Sequence, residues 1–198
     1  MFRSVKTLLF AGGIGMGMLA MGAGAARADI VLSLDTPPVP SLGGYTWTYD
    51  AILAPNQRVL AGNFFTIYDF DGFTGVRSEP LGWTFSSADI TPPPAGVAPI
   101  DLAGVPNLTW TWTGGPIVPP GPLTAVDLGL FSAESTVNSP TVADFVGLAT
   151  KNGGTTDGTP ISDIGRVTVP TTVPEPCTLA LLGLGAAPLA LRRRGRKA

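Results

Sequence analysis

Apolar and polar side chains alternate in two short segments of the chain. In Tyr45–Asp50 an aromatic residue occupies every second position, and Leu108–Thr113 alternates Leu and Trp with Thr. Because successive side chains of a strand point to opposite faces, this period of two predicts strands with one buried face. The β-branched Thr residues suit the solvated face. Seven further strands are predicted at Ile30–Asp35, Gln57–Leu60, Asn63–Phe70, Leu81–Ser87, Leu123–Ser132, Val142–Thr150 and Ile164–Val169.

The central part of the chain has no helical pattern. No window longer than ten residues there keeps apolar residues at i, i+3, i+4 and i+7 without a Pro or Gly. Turn sequences such as Asp71-Gly72 and Gly114–Pro122 separate the strands, and clustered prolines mark loops because Pro is excluded from central strands. Residues 29–169 are therefore predicted to form an all-β, antiparallel β-sandwich of jelly-roll type with loops rich in Pro and Gly.

Composition supports a folded centre. Residues 29–172 contain 17 Pro and 17 Gly, a share that borders on the composition of disordered chains. The same residues hold fourteen of the sixteen aromatic side chains. Disordered chains are poor in aromatics, so this region is predicted to have a packed core.

An apolar run of a different kind begins the chain. Two positive charges in the first six residues precede the Gly-rich apolar run Thr7–Ala26, and Ala26-Arg27-Ala28 follows the A-x-A pattern of signal peptidase sites. These three parts predict a secretory signal peptide over residues 1–28 that signal peptidase removes, so that the mature protein begins at Asp29. An uncleaved membrane helix is the alternative.

A second apolar run lies near the C-terminus. Residues 170–177 form a Pro-rich linker, residues 178–191 are apolar, and residues 192–198 are basic. Fourteen helical residues span about 21 Å, short of a hydrocarbon core of about 30 Å. Under the positive-inside rule the basic tail stays cytoplasmic. The pattern predicts one short transmembrane helix that holds the protein transiently in the inner membrane.

Val173-Pro174-Glu175-Pro176, the short apolar run and the closing Arg192, Arg193 and Arg194 together resemble the PEP-CTERM sorting signal. Proteins with this signal are bacterial envelope proteins that an exosortase, a membrane cysteine transpeptidase, processes. The resemblance implies cleavage near the Pro-Glu-Pro element and transfer of the central domain to the cell surface or extracellular matrix. It covers about 26 residues at the C-terminal end. An ordinary single-pass anchor is the alternative.

The charge distribution excludes several functions. Residues 29–172 carry thirteen acids and four bases, which argues against nucleic-acid binding because that needs clustered Lys and Arg. The chain has no His, so it lacks the usual general base and the commonest metal ligand. Its single cysteine, Cys177, cannot form a disulfide within the chain. No motif singles out catalytic residues, and we predict a non-enzymatic protein without a cofactor.

Two groups of residues remain as candidate sites. Asp69 and Asp71 precede Gly72 as in the opening of a calcium loop, but Phe73 stands at the next ligand position and no closing Glu follows. A strand end and Gly turn, with the Asp side chains bonding nearby N–H groups, is therefore preferred over a metal site. The large rings are predicted to be mostly core residues. The candidates for stacking on a sugar ring are Trp47, Trp110 and Trp112.

These observations predict an exported surface or extracellular-matrix protein with a structural or adhesive role. The alternative is a carbohydrate-binding module that acts on exopolysaccharide through exposed aromatic residues. A distant third possibility is an adhesin that calcium stabilises at the turn formed by Asp69 and Asp71.

Overall fold

A computed structural model describes residues 30–172 of the chain, which form ten β-strands and two antiparallel sheets. The predictions for the signal peptide, the signal peptidase site, the sorting element, the apolar run and the basic tail concern residues outside this range. Among the described residues, no helix has the length and apolar character needed to cross a membrane.

Ten strands follow one another along the described chain, and each is labelled by its order. They are β1 (Ile30–Pro40), β2 (Tyr45–Leu53), β3 (Gln57–Arg58), β4 (Phe64–Ile67), β5 (Phe73–Ser78), β6 (Trp83–Ala88), β7 (Asn107–Trp112), β8 (Val126–Ser135), β9 (Pro140–Lys151) and β10 (Pro160–Pro170).

The strands form two sheets with different strand orders. The smaller sheet has the order β1-β2-β8-β5, and the larger has β10-β9-β4-β7-β6 with β3 paired to β9. The predicted all-β, antiparallel architecture is confirmed. The finer expectation of a jelly-roll topology stays a prediction.

Aromatic side chains from both sheets meet in one core. Phe65 from β4 is fully buried, and its ring centroid lies 4.8 Å from that of Phe131 on β8 and 5.3 Å from that of Trp110 on β7. Trp83 on β6 completes the cluster at 5.5 Å from Phe65. Successive side chains of a strand point to opposite faces, so the period of two places these rings between the sheets.

The strand β5 was not predicted from the sequence. Five of its six residues are exposed, and its pairing with β8 is irregular between Phe73 and Arg77. It lies at the edge of the smaller sheet, and its exposed residues do not show an alternating apolar pattern. Gly75, with φ of 93°, further obscures the strand signal.

Candidate functional site

The turn between β4 and β5 holds the C-terminal end of the described chain. Asp71 Oδ2 accepts a hydrogen bond from the Thr172 backbone N–H at 2.7 Å and a second one from the Thr172 hydroxyl. The Asp71 N–H donates to the Pro170 carbonyl at 3.3 Å, and the Thr171 N–H donates to the Ser139 carbonyl at 2.9 Å. We call this contact between the turn Asp69–Gly72 and residues 170–172 the junction.

Asp69 also binds a backbone N–H group, but in the loop between β6 and β7. Its Oδ1 accepts a hydrogen bond from the Leu102 N–H at 2.7 Å, and its own N–H donates to the Asn107 side chain at 3.0 Å. Nearby, Asp144 Oδ2 accepts from the Ile100 N–H at 2.8 Å. These carboxylates satisfy the backbone donors of the long loop between β6 and β7 and hold it against the sheet.

The same loop has two further attachments. Asp101 Oδ2 accepts a hydrogen bond from the Thr91 N–H at 3.2 Å, and the hydroxyl of Tyr68 donates to the Thr91 carbonyl at 3.3 Å. Burial and the charge of Asp101 raise the pKa of Tyr68 to about 12, so this phenol stays a neutral donor. A segment rich in Pro and without regular structure is thereby fixed on the sandwich.

The acidic pair predicted at this turn therefore binds backbone groups. Their partners, Leu102 and Thr172, lie 33 and 101 positions away in sequence, whereas the prediction expected N–H groups close by. Within residues 30–172, no group of three or more His, Cys, Asp or Glu is placed to hold a metal ion. Both carboxylates act as tertiary anchors, and the partner residues could not be found from any local motif.

A pocket of about 240 Å³ lies beside the junction. Asp69, Asp71 and Thr171 line it together with Arg166, whose Nε lies 3.5 Å from Asp144 Oδ1. The apolar part of the lining comprises Ile100, Leu102, Val105, Val142 and Ala143.

The three tryptophans predicted for sugar stacking occupy different environments. Trp47 and Trp110 are fully buried, so neither indole can be reached by a sugar ring in this structure. Trp112 is partly buried; its Nε1 donates to the Gly115 carbonyl at 2.7 Å, and the backbones of Gly82 and Gly114 lie against its ring. The stacking surface is therefore reduced to one partly covered ring, because Trp47 and Trp110 lie in the core.

A second concave surface lies on the outer face of the larger sheet. Thr66 and Thr109 are cross-strand neighbours with their hydroxyl oxygens 2.8 Å apart. Phe64 pairs with Thr111 two register positions away, and this pair therefore lies on the same face of the sheet. With Ser86 these residues line a groove of about 320 Å³, which we call the hydroxyl groove. No charged side chain is among the described residues that line it.

Substitution of Asp71 by Ala is expected to free the end of the domain. Hydrogen bonds to a charged acceptor are strong, but exposure of Thr172 limits their contribution, so we expect a loss of about 1 kcal/mol in stability. Hydrogen exchange of the Thr172 amide should accelerate strongly, as measured by NMR on the full chain. Asp89→Ala, at an exposed position, is the matched control, and equal exchange rates in the two variants would contradict the junction.

Asp69 gives a pH-dependent prediction. Burial raises the pKa of Asp69, the charges of Asp101 and Asp144 raise it further, and the Leu102 N–H opposes the rise. Because the folded state binds this proton more tightly than the unfolded chain, the contribution of Asp69 to the free energy of unfolding falls as pH rises through the raised pKa. We expect Asp69→Asn to remove that fall because the amide does not titrate, while its Oδ1 can still accept the hydrogen bond from the Leu102 N–H.

The measurement is the melting temperature of wild type and variant from about pH 3 to about pH 7. Asp69 has φ of 56°, a conformation that Asn tolerates well, so backbone strain should not obscure the comparison. The variant should gain stability relative to wild type as pH increases. A constant difference between the two curves would show that the Asp69 carboxyl does not titrate differently in the two states.

Comparison with known proteins identifies the sequence that begins at the junction as a sorting motif. A family model described as the PEP-CTERM protein-sorting motif matches residues 172–194, which confirms the resemblance seen in the sequence. The match begins at Thr172, the residue that Asp71 holds, and it includes Val173–Pro176 and Arg192–Arg194. No curated protein and no solved structure matches the chain.

Proposed function

On the premise that this chain carries the PEP-CTERM sorting motif of an exosortase-sorted, exported protein, we propose that its β-sandwich is a non-enzymatic domain. This domain has a structural or adhesive role at the cell surface or in the extracellular matrix. In this proposal signal peptidase cleaves after Ala28, and the apolar run 178–191 holds the protein transiently in the inner membrane. Exosortase then acts near the Pro-Glu-Pro element.

The observation that carries the proposal is the position of the junction. Asp71 holds Thr172, which is the first residue of the sorting motif. The sandwich is therefore joined to the start of the sorting segment, which fits a folded domain that carries a removable C-terminal signal.

The side-chain contacts within the sandwich support a non-enzymatic role. Asp69 and Asp144 use carboxylate oxygens to hold backbone N–H groups, and the large rings fill the interior. Side chains engaged in this way stabilise the fold.

The sorting route is tested by mass spectrometry of protein recovered outside the producing cells. We expect wild-type material to lack the Arg-rich tail and to end near Pro176. Glu175→Ala should cause accumulation of the unprocessed chain in the membrane fraction. Lys197→Ala, which lies beyond the matched motif, is the control and should be processed normally. Extracellular wild-type protein with an intact tail would overturn the proposal.

The structural role needs a separate test in the same cells. Deletion of the gene should weaken cell adhesion or matrix cohesion, and the wild-type chain should restore it. A chain that ends at Thr172 should fold but fail to restore adhesion, because it lacks the sorting segment. Normal adhesion without the gene would refute the structural role and leave the sorting route intact.

Carbohydrate binding is the second candidate, and the hydroxyl groove supports it better than the tryptophans do. Hydroxyl groups beside an apolar ring offer hydrogen bonds and contact area to a neutral polysaccharide. A specific ligand raises the melting temperature through binding to the folded state. Such a rise with exopolysaccharide should disappear in Thr111→Lys and persist in Thr48→Lys, which lies on the other sheet. No rise with the wild-type chain would exclude this candidate.

A further inference from the structure

Exposed aliphatic side chains surround the point where the sorting motif begins. Ile100 is 60% exposed, Val142 is 57% exposed and Leu102 is 49% exposed. All three line the same pocket as Thr171, the residue next to Thr172. We call Ile100, Leu102, Val142 and the adjoining Thr171 the exit surface. The carboxylates of Asp69 and Asp144 bind the N–H groups of Leu102 and Ile100, so the two loop residues have fixed positions there.

The sequence that follows limits how far this surface can move from the apolar run. Thr172 is tied to Asp71, and only five residues separate it from Thr178, where the apolar run begins. The six Cα–Cα steps from Thr172 to Thr178 span at most about 22 Å when the chain is fully extended. The headgroup layer on one side of a bilayer is about 5–8 Å thick. When the run is inserted, the junction therefore lies within about 15 Å of the headgroups, close enough for the exit surface to reach them.

We propose that the exit surface lies on the lipid surface of the membrane while the sorting segment is inserted. This inference rests on the proposed anchored stage. Exposed aliphatic side chains beside a short tether suit the boundary between headgroups and acyl chains, where apolar side chains gain free energy by burial. Arg166, whose side chain is 66% exposed and lines the same pocket, can pair with lipid phosphate. The sandwich then approaches the membrane in one orientation, with its sorting segment beneath it.

The test uses the full chain in vesicles of phosphatidylethanolamine and phosphatidylglycerol, with and without lipids that carry a doxyl quencher. The native Cys177, labelled with a fluorophore, reports whether the sorting segment is inserted. For the exit surface, Leu102→Cys is labelled in a chain that also carries Cys177→Ser. Val142→Cys in the same background is a second probe in case the first variant fails to fold.

Leu81→Cys is the matched control. Leu81 is 99% exposed and precedes Gly82, whose backbone lies against Trp112 at the end of β7. The other end of β7 begins at Asn107, which binds Asp69, so a six-residue strand places the control about 17 Å farther along the sandwich. A probe at position 81 should keep its fluorescence in quencher-containing vesicles.

We expect labels at Cys177 and at position 102 or 142 to lose roughly half of their fluorescence, since interfacial side chains lie about 5–10 Å into the headgroup boundary. Quenching at Cys177 without quenching at positions 102 and 142 would overturn the membrane contact and leave the anchored stage intact. No quenching at Cys177 would refute the anchored stage itself. Quenching at 102 only in vesicles that contain the transpeptidase would assign the exit surface to that enzyme and overturn the lipid contact.

Discussion

Phe65→Ala is expected to lower the free energy of unfolding by about 3–5 kcal/mol. The Phe65 side chain is fully buried and contacts rings from three other strands, at 4.8 Å from Phe131, 5.3 Å from Trp110 and 5.5 Å from Trp83. Its removal leaves a cavity between two sheets that β-ladders hold in place, so the neighbouring rings can refill little of the space.

Thermal unfolding of the full chain measures this loss as a decrease in melting temperature of roughly 10–20 °C. The adjacent Phe64 is the matched control, because it has the same side chain but faces the hydroxyl groove. We expect Phe64→Ala to cost about 1 kcal/mol. Equal losses in the two variants would mean that the two sheets do not pack around Phe65 as described.

Gly72→Ala should destabilise the protein by about 2–5 kcal/mol, from the combined cost of a left-handed backbone and overpacking. Gly72 has φ of 67°, and a Cβ there would lie 2.6 Å from Thr136 Oγ1 and 2.9 Å from Ser135 Oγ. Ser135 Oγ also donates to the Asp71 carbonyl at 2.6 Å. Displacement of Ser135 would therefore disturb the junction, and exchange of the Thr172 amide should accelerate.

Gly75→Ala is the control that distinguishes the cost of a left-handed backbone from the cost of crowding around an added Cβ. Gly75 also has a positive φ, 93°, but a Cβ at this position would find open space. We expect it to lose only about 1–2 kcal/mol and to keep the Thr172 amide protected. Chemical denaturation gives the stabilities, and a Gly75 variant as unstable as the Gly72 variant would show that crowding is unimportant.

The junction links the fold to the sorting route. Asp71 holds Thr172 from the β4–β5 turn, and Asp69 in the same turn holds the loop that carries Leu102. One acidic turn therefore positions both the start of the sorting motif and part of the aliphatic surface around it. Loss of Asp71 should affect the presentation of the sorting segment while leaving the core rings packed.

Strand prediction succeeded where burial imposes a period of two. The strands around Trp47 and Trp110 were identified because each buries one face, and both residues are fully buried. Strand β5 was missed, since five of its six residues are exposed. The outward Thr residues were recognised as solvated, but their assembly into a groove depends on the register of β4, β6 and β7.

The sequence by itself determined the sorting motif, the all-β class and the absence of His chemistry. These properties depend on composition or on residues close together in the chain. Only the tertiary structure decided the roles of Asp69 and Asp71, whose partners lie 33 and 101 positions away. It also decided that Trp47 and Trp110 are core residues. A short-range pattern shows which face of a strand is apolar. The pairing of strands that are distant in sequence decides which residues that face packs against and which backbone groups a carboxylate in a turn binds.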